Sequence, residues 1–109
     1  MYLECPDSIR VNNTQILHIN GVYSITNQVR RQRPVWYNKM QDKYIFVSTN
    51  WNWHIATSNS YNADNKFRWA HANLYKNGKA CPHDRDYWLW INNKWTRGTD
   101  LSVTSGSQA

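Results

Sequence analysis

Apolar and polar positions along this chain follow a period of two far more often than a helical period. Residues 8–11 (Ser-Ile-Arg-Val) and 16–19 (Ile-Leu-His-Ile) read as short strands. Asn20-Gly21 follows, then the β-rich run 22–26. Asn-Gly tolerates the positive φ of a type I′ turn, so this spacing predicts a hairpin between 16–19 and 22–26. Pro34 opens a strand over 35–37, and 38–42 reads as a turn. The run 43–48 is apolar on both faces and predicts a central strand, paired with 50–57 through a very short link. Residues 58–66 read as a polar loop, 67–72 as a strand, and Asn77-Gly78 as a turn. A tight hairpin is predicted from 87–91 and 94–96 around Asn92-Asn93, with a last short strand over 101–103.

About eight strands with turn signals at intervals of about 8–12 residues predict an all-β fold: a compact antiparallel sandwich or small barrel of seven to nine short strands. One domain over residues 1–103 accounts for them, and 104–109 is expected to be a disordered tail.

Composition changes this picture in one respect. Leu, Ile, Val and Phe number only 20 of 109 residues, a share that by itself would indicate disorder, but seven Trp and seven Tyr stand beside them. Aromatic rings must therefore supply much of the core. No run is long and apolar enough for a membrane helix. Residues 1–5 carry neither a basic nor an apolar leader segment, so the chain reads as mature or cytosolic. Pairing of Cys5 with Cys81 would tie down the N-terminal end, and with 14 Asn residues it favours a secreted, extracellular setting.

The segments Asn20-Gly21-Val22-Tyr23, Arg33-Pro34-Val35-Trp36-Tyr37, Tyr44-Ile45-Phe46 and Trp53-His54-Ile55 resemble a short Trp-rich β module of secreted proteins. The resemblance implies secretion and a β fold, and no activity.

The Trp residues also carry the candidate chemistry. Seven indoles are hard to bury together in a small domain, because each N–H needs a partner. An exposed indole offers an apolar platform to a pyranose ring, and neighbouring amide, carboxylate or imidazole groups can orient its hydroxyls. Trp51, Asn52, Trp53 and His54, with Tyr61 and Asp64 in the following loop, supply that mixture. Strand alternation puts Trp51 and Trp53 on one face and Asn52 and His54 on the other. The expected function is non-catalytic, lectin-like carbohydrate binding.

Net charge is +6, with 13 basic and seven acidic residues. A basic surface favours anionic partners. Arg30, Arg31 and Arg33 are therefore the anchor of an alternative: binding of a sulfated glycan or a single-stranded nucleic acid. A third alternative is an adhesive module whose Trp faces meet another protein or a second copy, making a homo-oligomer. Cys81-Pro82-His83 lacks the paired spacing of a zinc site, so neither metal nor other cofactor is expected. Glu4 is the only glutamate and the four histidines are dispersed, so no catalytic residues are assigned.

Overall fold

One continuous antiparallel sheet forms, buried on both faces at its central strands and alternately buried in others such as Ser8–Asn12 and Ala70–Asn73. The computed structural model describes residues 5–75, 80–98 and 102–105. Within them run β1 (Ser8–Asn12), β2 (Gly21–Arg30), β3 (Arg33–Asn38), β4 (Lys43–Val47), β5 (Asn52–Thr57), β6 (Ala70–Asn73), β7 (Trp88–Ile91), β8 (Lys94–Arg97) and β9 (Ser102–Ser105). A 3-10 turn, Leu17–Ile19, lies between β1 and β2, and a short helix α1, Ser58–Ala63, lies between β5 and β6. The order across the sheet is β8-β7-β6-β5-β4-β3-β2-β1-β9. Each strand from β1 to β7 pairs with its successor, and β9 returns to the free side of β1.

That return dictates the shape. Nine strands laid flat at the usual spacing would hold their edges about 38 Å apart. The chain leaves β8 at Arg97 and re-enters the sheet at Ser102. Five residues span at most about 18 Å. The sheet must therefore curl into a half-barrel, and the segment before β7 helps to bridge its seam. Asp84 N–H donates to Val103 O at 2.9 Å on β9, and Gly98 N–H donates to Tyr87 O at 2.9 Å. The Cys5–Cys81 disulfide, with Cα atoms 5.5 Å apart, staples the N-terminal end to this bridging segment.

The concave face holds the main core: Ile9 and Val11 of β1, Trp36 of β3, Ile45 of β4, Trp53 and Ile55 of β5, Leu89 of β7 and Val103 of β9. Large rings replace the missing aliphatics, and each polar tip is satisfied. Trp36 Nε1 donates to Pro6 O (3.0 Å), Trp53 Nε1 to Leu74 O (3.2 Å), Tyr23 OH to Ile19 O (2.7 Å) and Tyr87 OH to Pro82 O (2.7 Å). Without these partners the rings could not be buried cheaply.

Several local expectations are corrected. Residues 16–19 are not a strand: β2 pairs directly with β1, Val11 opposite Gly21, and Ile16 and Ile19 turn into the core from the 3-10 turn. Asn20 is extended, with φ −72° and ψ 150°, so no type I′ turn forms at Asn20-Gly21. Its side chain is engaged instead, for Thr14 N–H donates to Asn20 Oδ1 (3.2 Å) and Asn20 Nδ2 donates to Thr14 O (3.4 Å). Gly21 keeps its place for another reason. Its φ is +130°, and a Cβ there would lie 2.8 Å from Asn38 Nδ2.

Part of the polar run 58–66 is helical, because Thr57 caps α1 by accepting a hydrogen bond from Ser60 N–H and Asp64 closes it with φ 52°. The strand expected over 67–72 begins only at Ala70, and β9 extends through Thr104 and Ser105, beyond the expected end of the domain at residue 103. The β7–β8 hairpin agrees with expectation, with Asn92 and Asn93 at φ 53° and 62°. The turn expected at Asn77-Gly78 and the tail beyond Ser105 lie outside the described residues. Among the described residues, no helix is long and apolar enough to cross a membrane.

Candidate functional site

The six residues expected to bind sugar do not share a surface. Trp51 is half exposed, but it sits in the β4–β5 turn with φ 62°, where Trp51 N–H donates to Ser48 O. Strand alternation therefore does not reach it. Trp53 is fully buried in the concave core and offers no face to a ligand. Asn52 begins β5, half-buried, and His54 is fully buried on the opposite side of the strand from Trp53. Tyr61 is a buried residue of α1, its hydroxyl donating to Gln28 Oε1. Asp64 is committed to arginines.

Those arginines are two of the three expected to bind polyanions. Arg31 Nη2 lies 2.5 Å from Asp64 Oδ2, and Arg30 Nη1 lies 3.4 Å from Oδ1. Arg31 also donates to Val47 O (3.0 Å) and Arg30 to Tyr61 O (2.7 Å). The Arg30 guanidinium carbon stands 3.9 Å from the Tyr61 ring centre. Hydrogen bonding to Arg31 holds the Asp64 carboxyl below its ordinary range. Arg30 and Arg31 thus clamp the end of α1 to the sheet, and half their charge is neutralised internally. Arg33 points elsewhere, its Nη2 donating to Tyr75 OH at 2.8 Å.

The convex face of the sheet carries a second small core, made of Val35, Phe46, Ala56 and Tyr61, with Tyr44 stacked on Tyr61 at 4.1 Å between ring centres. Beside it lies the row His54, His71, Trp88 and Arg97, each directly opposite the next across β5 to β8. Neither nitrogen of the buried His54 has a hydrogen-bond partner among the described residues. Burial, together with Arg68 and His71, pushes His54 down to about 3. Burial and Arg68 lower His71 to about 4. Arg68 Nε donates to His71 Nδ1 at 3.4 Å, a bond that needs the neutral imidazole.

The convergent site is next to this row. A cleft of about 480 Å³ opens between α1, the segment 66–69 and the β7–β8 hairpin. Phe67, Trp69, Trp90 and Trp95 line it, with Lys66, Arg68, Thr57 and Ser60 as its polar groups. The hairpin register places Trp90 directly opposite Trp95, with ring centres 5.0 Å apart and planes inclined by 58°. The Arg68 guanidinium carbon is 4.4 Å from the Trp95 ring centre, and its Nη1 donates to Lys66 O at 3.0 Å. Phe67 is 77% exposed at the rim, a large apolar area left in water. No carboxylate lines the cleft among the described residues, so its field is positive. It combines aromatic faces, fixed cations and hydroxyls, which can stack a ring and hold an anionic substituent.

The sequence reading missed Trp90, Trp95, Phe67 and Arg68 as a group. One signal was present: an Asn92-Asn93 two-residue turn fixes Trp90 opposite Trp95. The contribution of 66–69 needed the tertiary fold. As for metal, Cys81 is consumed by the disulfide and provides no thiolate beside His83. Among the described residues, no group of three or more His, Cys, Asp or Glu could hold an ion. No protein-family model, curated protein or solved structure matches this chain.

Proposed function

We propose that this protein is a non-catalytic carbohydrate-binding module whose ligand seats in the cleft of Phe67, Arg68, Trp90 and Trp95. The observation that carries the reading is the inclined, half-buried Trp90–Trp95 pair, flanked by Arg68 and Lys66 in a cleft of about 480 Å³. Indole faces accept the C–H surface of a pyranose, while the cations, Thr57 and Ser60 supply hydrogen bonds to its substituents. The site moves from the Trp51–Asp64 segment to the β7–β8 hairpin, with the same division of labour between rings and polar groups. An oxidising, extracellular setting agrees with the disulfide.

The test is a glycan array of neutral, sialylated and sulfated sugars, probed at two salt concentrations with wild-type protein, Trp95→Ala and Arg68→Gln. Selective binding that both variants lose, while their thermal unfolding stays cooperative, supports the reading. Silence on every glycan rejects it. Binding only to a single-stranded oligonucleotide included on the array would reassign the rings to base stacking.

A further inference from the structure

We infer that the ligand is a linear anionic glycan, a chain of pyranoses bearing carboxylate or sulfate groups, that lies along the outer face of the β7–β8 hairpin and fills two clefts at once. This rests on the reading of the first cleft as a glycan site. A second cleft, about 330 Å³, is lined by Asn73, Tyr75, Arg85, Asp86, Trp88 and Arg97, with Ala72 at its base. Trp88 and Trp90 are alternate residues of β7, so they project from the same face, about 6.6 Å apart along the strand. The two clefts therefore open side by side along one hairpin.

They also repeat one motif. In the first, Arg68 stands over Trp95; in the second, Arg97, directly opposite Trp88, has its guanidinium carbon 5.6 Å from the Trp88 ring centre. Trp88 is 41% exposed and Tyr75 58%, and the Tyr75 hydroxyl is held by Arg33. Lys66, Arg68, Arg97 and Arg33 thus mark a cationic path beside a row of exposed rings. Asp86, 3.6 Å from Arg97, is the one carboxylate lining either cleft among the described residues. A single sugar ring occupies one cleft, and only a linear chain reaches both. For such a chain the second contact is intramolecular, and affinity rises steeply with length.

The experiment is calorimetric titration with the monosaccharides and tetrasaccharides of the heparin, polygalacturonate and cellulose series, covering sulfate, carboxylate and neutral sugars. The wild-type protein is expected to bind an acidic tetrasaccharide at least about tenfold more tightly than the matching monosaccharide. Trp88→Ala and, separately, Arg97→Gln should erase that gain. Met40→Ala, on the exposed β3–β4 turn, should keep it. The heparin and polygalacturonate arms tell sulfate from carboxylate recognition.

Equal affinity at both lengths, or a length gain that survives Trp88→Ala and Arg97→Gln, overturns the two-cleft inference and leaves the first cleft as a glycan site. A gain seen only with cello-oligosaccharides overturns the anionic assignment. Absence of binding to every sugar, short or long, removes the functional reading beneath it as well.

Discussion

Arg31 and Asp64, 33 residues apart in the chain, form a two-point pair: Nη1 donates to Oδ1 at 3.1 Å and Nη2 to Oδ2 at 2.5 Å. One residue was expected to anchor polyanions and the other to orient sugar hydroxyls; each instead satisfies the other. Asp64→Asn should therefore do two things. It should lower stability by only about 1 kcal/mol, since the pair is partly exposed. It should also release Arg30 and Arg31, tightening heparin binding and steepening its salt dependence. Heparin affinity measured across a salt series checks this, and an unchanged slope would show that the two arginines stay committed elsewhere.

Trp53 and Trp95 should respond oppositely to truncation. Trp53→Ala empties a fully buried site and should cost about 3–5 kcal/mol, enough to unfold much of the protein. Trp95→Ala removes a half-buried ring at the cleft and should cost less while abolishing glycan binding. Urea denaturation of both variants beside a binding assay separates core from site.

Acid should destabilise the fold well before its carboxylates titrate. His54 is lowered to about 3 and His71 to about 4, against 6.5 in the unfolded chain. Between those values and 6.5 the unfolded chain binds more protons, so stability is complete above 6.5 and falls as pH drops. The expected loss from pH 7 to pH 5 is about 2 kcal/mol for His54 and less for the half-buried His71. The cations facing His54 are Arg68 and Arg31, and they add to the effect of burial. His54→Leu should flatten the pH profile measured by chemical denaturation. It should also be tolerated at pH 7, because it removes two buried nitrogens that have no partner among the described residues.

Reduction of the disulfide should matter more than its place near the N-terminal end suggests. Cys5 and Cys81 are 76 residues apart in sequence and join the bridge across the barrel seam. In the chain-entropy account a loop of that length contributes about 4.5 kcal/mol. Cys5→Ser and Cys81→Ser should lower the melting temperature equally, and adding reductant should shift the wild type but neither variant.

The short β-rich runs around Val11, Ile45, Ile55 and Leu89, some alternating and some apolar on both faces, determined by themselves that the chain is all-β. Asn92-Asn93 determined the hairpin that sets Trp90 against Trp95. Such features are local: period two and turn chemistry act within about ten residues. Asn20-Gly21 shows where local chemistry yields, since the Asn20 amide gains more by closing the 13–20 loop than by forming a turn. Alternation also assigns residues to two faces without saying which face is inside. Both faces of β5 carry a ring and both faces of β7 are apolar, so the choice of Trp53 for the core and Trp88 for the surface was not legible in the chain. Curling of the sheet decided it, because bringing β9 beside β1 encloses one face and leaves the other to water, α1 and the residues of the two clefts.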